Sequence, residues 1–484
     1  MSEHRILVAS NRGPVTFIET DQGDPALKRG SGGLVTGLAA SVQATGGLWV
    51  AAAMGEGDRQ QAKRSPRGRL DVVVGEAKYT LRLIAVDAAT YEHFYDGVSN
   101  RLLWFLHHQL WDLPRQPVFD EGTRTAWEAY RQVNLAFAHA LAEEADSAPT
   151  DVLVQDYHLS LVPAALRTLA PQARIAHFHH TPFAGADSLR LVPGWMREEL
   201  LTGLLGADLL GFQTKRWAES FLSACRLLSG ARVDSRGRSV RWEGRSIRVG
   251  VYPVTVDPVS LREFAATDEV RRKRRALARL VGDRHLVLRV DRTEPSKNVL
   301  RGFRSFEEFL RRHPEWEGKV ILLVLLNPSR ESLPEYRSYT EECIRAGERI
   351  NAQAAEGTGT PVEVRVEDDY AEVVAAFGMY DTLVVNPLLD GMNLVAKEGP
   401  LLNRTKGVLL LSRNAGAFEE LGRHAIPVDP LDVTGTADAL DAALRMRPEE
   451  RARRARGLRR AITARSPAGW VEQQLLDLAR GPGA

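Results

Sequence analysis

Short runs of consecutive apolar, β-branched-rich residues alternate with longer stretches whose apolar positions recur about every third or fourth residue. The first pattern belongs to strands covered on both faces and the second to helices laid over them, so the alternation predicts an α/β protein built on parallel sheets. In the N-terminal half the expected strands are 6–10, 151–155, 174–179 and 209–212, with a long helix over 125–144. In the C-terminal half they are 286–290, 320–326, 362–366, 382–386, 408–412 and 425–428. The stretch 298–312 places Val299, Phe303, Phe306 and Phe309 on one helical stripe. Residues 251–258, an extended run bracketed by Pro253 and Pro258, form the best linker. The expected organisation is two doubly wound, Rossmann-like domains, 1–250 and 251–460, with a helix within 461–484 packing back on the first. An Arg-rich helix over 449–465 reads as a solvated face. Doubly wound sheets bind ligands beyond the carboxyl ends of their strands, so a site in a cleft between two such domains is expected.

A chain of 484 residues is too long for one core, consistent with two domains. With 44% hydrophobic and 26% charged residues and a net charge of +2, bulk electrostatics point to neither a nucleic-acid nor a membrane partner. The first apolar run is too short for a secretory h-region, and no run is long enough to span a bilayer. Cys225 and Cys343 offer neither a metal nor a disulfide spacing. These features suggest a cytoplasmic enzyme, with its oligomeric state, a homo-oligomer included, left open.

Candidate chemistry follows the strands. Asp390-Gly391-Met392-Asn393-Leu394-Val395-Ala396-Lys397-Glu398 comes after the strand ending at Asn386. If most of this interval were helical, its two carboxylates would lie roughly 10–12 Å apart. Asp390 would then suit sugar hydroxyls, Glu398 a ribose diol, and the helix N-terminus between them a diphosphate. The alternative is a glycine turn and an amphipathic helix with solvated acids. Ser10-Asn11-Arg12 ends the first strand, and Gly32-Gly33-Leu34 opens a helix where backbone can approach a phosphate. Arg292 and Lys297 share a loop after one strand, and Asn327-Pro328-Ser329-Arg330 follows the next. Such cations could clamp phosphates and stabilise a leaving diphosphate without a metal. Asp156 ends the 151–155 strand. The cluster His177, His179, His180 admits a metal, a packed core or a sugar-binding His180, but no further ligand motif completes a metal site.

Taken together, Ser10–Arg12, Gly32–Leu34, Gly46–Trp49, Tyr95 through Asn100 to Trp104, Val154–Leu159, His180–Phe183, Leu209–Thr214, Val251–Pro258, Arg292/Lys297, Gly347–Asn351 and Asp390–Glu398 resemble, in order, the trehalose-6-phosphate synthases, a family of retaining glycosyltransferases. The resemblance implies two Rossmann-like domains of GT-B type, no cofactor, and two small-molecule partners: a nucleotide-sugar donor and a sugar-phosphate acceptor. It implies that Arg12, Tyr95 and Arg330 hold the acceptor phosphate and Asp156 the acceptor ring hydroxyls, with Trp49 and Trp104 as pocket walls. Gly32, Gly33, Arg292 and Lys297 would meet the donor diphosphate, with His180 and Asp390 on donor glucose. Gly391, Met392 and Asn393 would contact the donor, and Leu394, Val395 and Glu398 would line the distal phosphate and ribose. Asp156, His180, Arg292, Lys297 and Asp390 are then the catalytic set. The implied chemistry is front-face attack, with the leaving phosphate taking the acceptor's hydroxyl proton.

The chain departs from the family at Leu389, Ala184 and Asn327, and in carrying Asp368-Asp369 where the nucleobase is read. A carboxylate accepts only, and guanine offers adjacent N1–H and N2–H donors where uracil offers only N3–H. GDP-glucose is therefore the expected donor, unless the two acids merely cap the next helix. Other readings compatible with the scaffold are a glucosylglycerol-phosphate synthase, a pseudo-glycosyltransferase joining cyclitols, and a catalytically silent regulatory subunit.

Overall fold

The apolar runs form the strands of two large sheets in the computed structural model, which describes residues 4–18, 26–29, 38, 42, 47–74, 77–145 and 149–481. In chain order the strands are β1 (Arg5–Ser10), β2 (Val15–Ile18), β3 (Ala26–Arg29), β4 (Leu48–Ala52), β5 (Arg69–Val74), β6 (Ala77–Ile84), β7 (Thr150–Gln155), β8 (Arg174–His179), β9 (Leu209–Phe212), β10 (Arg232–Val233), β11 (Ser239–Trp242) and β12 (Arg245–Val251). They continue with β13 (His285–Arg292), β14 (Val320–Asn327), β15 (Val362–Val366), β16 (Thr382–Val385), β17 (Val408–Ser412) and β18 (Ile426–Val428).

The chain divides into two units, Met1–Val254 together with Pro467–Ala484, and Thr255–Ser466. The first division falls inside the Pro-bracketed 251–258 segment. The last helix, Pro467–Arg480, belongs to the first unit. There Trp470 packs edge-on against Phe178 at 4.9 Å and gives its indole N–H to the Tyr252 carbonyl, while Asp477 accepts the Tyr252 hydroxyl at 2.8 Å. The Arg-rich helix ends at Ile462, within the second unit.

The first sheet runs β10-β11-β12-β9-β8-β7-β1-β4-β6-β5, parallel from β12 through β6 and antiparallel only at its edges. The second runs β15-β14-β13-β16-β17-β18, all parallel, the doubly wound order in which the third strand lies outermost on one side and the sixth on the other. Strand order reverses between β1 and β7 in the first sheet and between β13 and β16 in the second. At such a reversal the connections leave toward opposite faces and open a crevice at the strand ends. Register sets Ala9 opposite Val154 and Leu288 opposite Leu383. Ser10–Arg12 and Asp156 therefore emerge side by side in one unit, and the Arg292–Lys297 loop and the Asp390 loop in the other.

The helix Val299–Arg312 buries Val299, Phe303, Phe306 and Phe309 against Val287, Leu322 and Val324 of the second sheet, each aromatic or aliphatic side chain contributing about 1.5–3 kcal/mol by removal from water. This rigid pairing supports the start of the helix, where the Arg292–Lys297 loop enters. Strands β4, β5, β6 and β10–β12 escape sequence reading because they carry alanines or alternating charges such as Arg69, Asp71, Lys78 and Arg82. Strand β13 reaches two residues further than its apolar run because Asp291 and Arg292 keep backbone register with Leu326 and Asn327. Among the described residues no helix is long and apolar enough to cross a membrane.

Candidate active site

At the reversal in the first sheet, the turn after β1 is pinned from three sides. The Trp49 indole N–H donates to Ser10 Oγ at 2.8 Å, Ser10 Oγ donates to the Arg12 carbonyl at 2.7 Å, and the Ala52 amide donates to the Asn11 carbonyl at 3.0 Å. The Tyr91 hydroxyl adds a bond to Asn11 Oδ1 at 3.3 Å. A fixed backbone thus presents the exposed Arg12 side chain. Trp49 is fully buried, so it props the Arg12 turn and has no face to offer a sugar. Trp104 is only 6% exposed and stacks on His108 with centroids 3.9 Å apart. In this structure both indoles are core groups, a correction to their expected place as pocket walls. Tyr95 lies in a stretch, His93–Leu103, that winds as a π-helix, a geometry frequent at functional sites. Half-buried, its ring stacks between Tyr91 at 5.6 Å and His158 at 5.8 Å.

Asp156 follows β7 with φ +68°, a positive value rare for a non-glycine residue. Its surroundings hold it there: its amide donates to the Phe178 carbonyl, its carbonyl accepts His177 Nε2 at 3.2 Å, and its Oδ1 accepts the His180 amide at 3.1 Å. Strain of this kind persists only where its neighbours over-determine it, and it clusters at working sites. The His180 ring is orientated by two amides. Gln213 Oε1 accepts the Val254 amide, so its NH₂ faces His180 Nδ1 at 3.3 Å, and Nε2–H is left to donate to Gln155 Oε1 at 3.0 Å. Burial, helped by His177, pushes the His180 imidazole down to about 3. His180 is therefore neutral with both nitrogens engaged, and a sugar hydroxyl would have to displace one amide. His177 and His179 are packed in the core, and burial holds both well below the usual imidazole range.

In the second unit, Lys297 closes a short turn after β13, and Asn298 follows at φ +61° with its side-chain amide on the carbonyls of Asn386 and Pro430. Lys297 Nζ lies 2.5 Å from Asp390 Oδ2, and Asn393 Nδ2 donates to the same oxygen at 3.0 Å. Asn393, at φ +75°, also caps the next helix by accepting the Ala396 amide. The Asp390–Asn393 loop is clasped from behind. The Asp390 amide donates to the Asn414 carbonyl, the Gly416 amide to the Asp390 carbonyl, and the Ala417 amide to the Met392 carbonyl. A Cβ at Gly416 would stand 1.9 Å from the Gly391 carbonyl oxygen, so only glycine permits this approach. The helix is Val395–Leu402, so only the end of the Asp390–Glu398 interval is helical and Leu394 is its N-cap, where the sequence suggested helix for most of it. Lys397 turns inward onto Glu420 at 2.5 Å. Glu398 sits in the first helical turn, where burial raises its carboxyl to about 7.

Arg292 Nη1 lies 3.2 Å from Glu294 Oε1, and Arg330, at φ +49°, places its Nη1 2.9 Å from the same oxygen. Arg330 thus belongs to the loop pair of the second sheet, beside Arg292. Beneath the loop the fully buried Arg289 donates to Asn386 Oδ1 and to the Lys297 carbonyl and pairs with Asp291 at 2.9 Å. At the ends of β14 and β15, Asn327 Nδ2 donates to the exposed Asp368 at 2.6 Å. Asp369, by contrast, is the N-cap of the helix Tyr370–Phe377, accepting the Glu372 amide at 2.8 Å and pairing with Lys273. Its carboxylate is committed to holding that helix start, which corrects the expectation that it reads a base. Gly32 and Gly33 lie outside the described residues.

Sequence reasoning missed Gln155, Gln213, Arg289 and Glu294. The last two carried a signal: Arg289 is a charge inside an apolar strand, and Glu294 an acid between two loop cations. Among the described residues, His313, Glu315 and Asp441 come close enough to hold a metal ion, but Arg445 already pairs with both carboxylates.

The model of glycosyltransferase family 20 matches residues 4–480. A trehalose-6-phosphate synthase of Mycobacterium avium is 35% identical, over 98% of this chain and 96% of its own. An alpha,alpha-trehalose-phosphate synthase [UDP-forming] of Aspergillus fumigatus is 33% identical over 98% and 97%. Among solved structures, trehalose-6-phosphate from E. coli bound with UDP-2-fluoro glucose aligns with a TM-score of 0.85 at 28% identity, covering 98% of each chain. The Burkholderia xenovorans synthase in complex with glucose-6-phosphate aligns with a TM-score of 0.84 at 30% identity, covering 98% of this chain and 100% of that one. Matched from end to end by the family model and by relatives of the same length, with the two doubly wound sheets that those structures share, this chain belongs to glycosyltransferase family 20.

Proposed function

We propose that this protein transfers glucose, with retention, from a nucleoside-diphosphate glucose to glucose 6-phosphate, forming α,α-trehalose 6-phosphate. The observation that carries the reading is the Lys297–Asp390 pair at the mouth of the Val395–Leu402 helix, in a chain whose full-length relatives are trehalose-phosphate synthases. In this reading Asp390 holds donor glucose, the helix start and the cations Lys297 and Arg292 meet the diphosphate, and Glu398 takes the ribose. Arg12, Tyr95 and Arg330 meet the acceptor phosphate, and Asp156 the acceptor ring. The anomeric carbon–phosphate oxygen bond breaks as a bond to the acceptor hydroxyl oxygen forms on the same face. The hydroxyl proton passes to the departing phosphate oxygen. Positioning and charge stabilisation carry such a reaction. Incubation with UDP-, GDP- and ADP-glucose and glucose 6-phosphate tests it, reading nucleoside diphosphate and disaccharide phosphate. No turnover with any of them, but turnover with a cyclitol nucleotide, would replace the reading.

Arg12→Ala should raise the KM for glucose 6-phosphate by about 10–100-fold, the loss of one charged hydrogen bond of about 1.5–3 kcal/mol, and leave nucleotide affinity near wild type. Equal loss of nucleotide binding in calorimetry would move Arg12 to the donor.

For the base we favour GDP-glucose, supported by the exposed Asp368 at the end of β15, which Asn327 orientates. One carboxylate can accept both N1–H and N2–H of guanine, and a site built for two donors discriminates against a base lacking one. The named relatives supply the contrary case: the Aspergillus enzyme is UDP-forming and the E. coli structure holds a UDP sugar. Asp368→Asn should lower the GDP-to-UDP ratio of kcat/KM, whereas Asp369→Asn should lower stability and leave the ratio alone. A wild type that prefers UDP-glucose sinks the base assignment and leaves the transferase standing.

A further inference from the structure

Glu294 is fully buried in the loop that carries both donor cations, and nothing in the reaction needs a carboxylate beside a leaving diphosphate. Its Oε1 takes three contacts: Arg330 Nη1 at 2.9 Å, Ser329 Oγ at 2.9 Å and Arg292 Nη1 at 3.2 Å. Its Oε2 is buried with no hydrogen-bond partner, so the contacts converge on one oxygen. The flanking arginines, with Lys297, hold its carboxyl down at about 2 despite burial, so it is ionised at any working pH. The two arginines are held unequally. Arg330 also donates to the Tyr336 hydroxyl at 3.1 Å, lies over the Tyr336 ring at 5.5 Å, and has a side chain only 9% exposed. Arg292 keeps its longer contact with a side chain 50% exposed. One anion thus anchors one guanidinium and tethers another.

We propose that Glu294 is a positioning residue that competes for Arg292 in the ground state and yields it as negative charge builds on the leaving diphosphate. The inference rests on the transferase reading above. An interaction accelerates a reaction only if it is stronger in the transition state than before it. A free Arg292 would bind the resting diphosphate and the transition state alike. Tethered to Glu294, it is partly neutralised at rest and moves outward only when the phosphate's charge outweighs the carboxylate's. The same carboxylate keeps Arg330 directed and prevents the two guanidiniums from repelling each other.

The test is Glu294→Gln, assayed with the preferred sugar nucleotide and, by calorimetry, with GDP and UDP alone. Removing the competing charge should tighten nucleoside diphosphate binding about 3–10-fold and lower the donor KM, while kcat falls about 10-fold or more, the pattern of lost ground-state restraint. A residue that merely held the loop together would give weaker binding along with slower turnover. Glu294→Asp keeps the buried charge but draws it back by one methylene, so it should shift both constants in the same directions by less, and it serves if the glutamine variant does not fold. Weaker nucleoside diphosphate binding in either folded variant, or an unchanged kcat, overturns the proposal. A wild type that binds neither nucleoside diphosphate nor glucose 6-phosphate overturns the transferase reading instead.

Discussion

Lys297→Ala is expected to lower kcat by about 10²–10³-fold while changing the donor KM far less, the usual consequence of removing one preorganised electrostatic group from a developing oxyanion. In the resting structure the Lys297 ammonium is balanced by Asp390 at 2.5 Å, on a loop locked by Asn298 and by the Arg289 contact to the Lys297 carbonyl. The group is therefore in place before charge appears and costs no reorganisation. In the proposed mechanism its removal acts twice, because Asp390, with a side chain 13% exposed, loses its cationic partner beside the phosphate proposed to depart. The double variant Lys297→Ala/Asp390→Asn separates the two contributions. If repulsion from Asp390 is substantial, the double variant falls short of the product of the single losses. Steady-state kcat and KM for both substrates decide the matter. A raised donor KM with kcat intact would make Lys297 a ground-state binder.

Below neutrality, the affinity for the sugar nucleotide should fall by up to about tenfold per pH unit if, as proposed, Glu398 serves as the ionised acceptor for two ribose hydroxyls. Burial raises this carboxyl from 4.5 to about 7 in the free protein. The sign follows from linkage. The free protein holds a proton on Glu398 below about pH 7, and binding through the anion must expel it. Affinity is thus full above that pH and declines as pH falls through it. The same raised value means that Glu398 favours the folded state at low pH, and that this contribution is lost as pH rises from about 4.5 to about 7. The sugar nucleotide, a pyrophosphate diester, does not titrate in this range, so calorimetry without acceptor isolates the protein group. Glu398→Gln should bind more weakly at pH 8 and show a flat profile. A wild-type profile already flat between pH 5 and 8 would remove Glu398 from the ribose.

The large architecture was legible because strands buried on both faces must be almost wholly apolar and helices above them must carry a stripe. Strands such as β14 and β17, and the phenylalanine stripe of Val299–Arg312, obey that rule without reference to distant residues. Edge strand β5 and its neighbour β6 did not read as strands because charges such as Arg69, Asp71, Lys78 and Arg82 interrupt their apolar residues. The candidate chemistry was legible as far as it lay in contiguous segments after strand ends, as with Asp156, Arg292, Lys297 and Asp390. What failed was side-chain direction. Trp49 stands in such a segment, yet its position on a central strand sends the ring into the core. Asp368 and Asp369 are adjacent, yet one is exposed and the other is spent on a helix cap.

The strand and helix periods, a Pro-bracketed linker at 251–258 and the stock of cations and acids at the strand ends were legible in the chain alone, since each depends on residues close together in it. Which groups meet follows from the folded chain. Gln155 and Gln213 set the tautomer of His180, Lys297 meets Asp390 across the reversal between β13 and β16, and Arg292 and Arg330 converge on the buried Glu294. Apart from Arg292 and Glu294, which share one loop, these pairings join residues from different strand ends. Local periodicity cannot encode them, because strand order and register, not chain neighbours, set the distances over which a charge or a hydrogen bond acts.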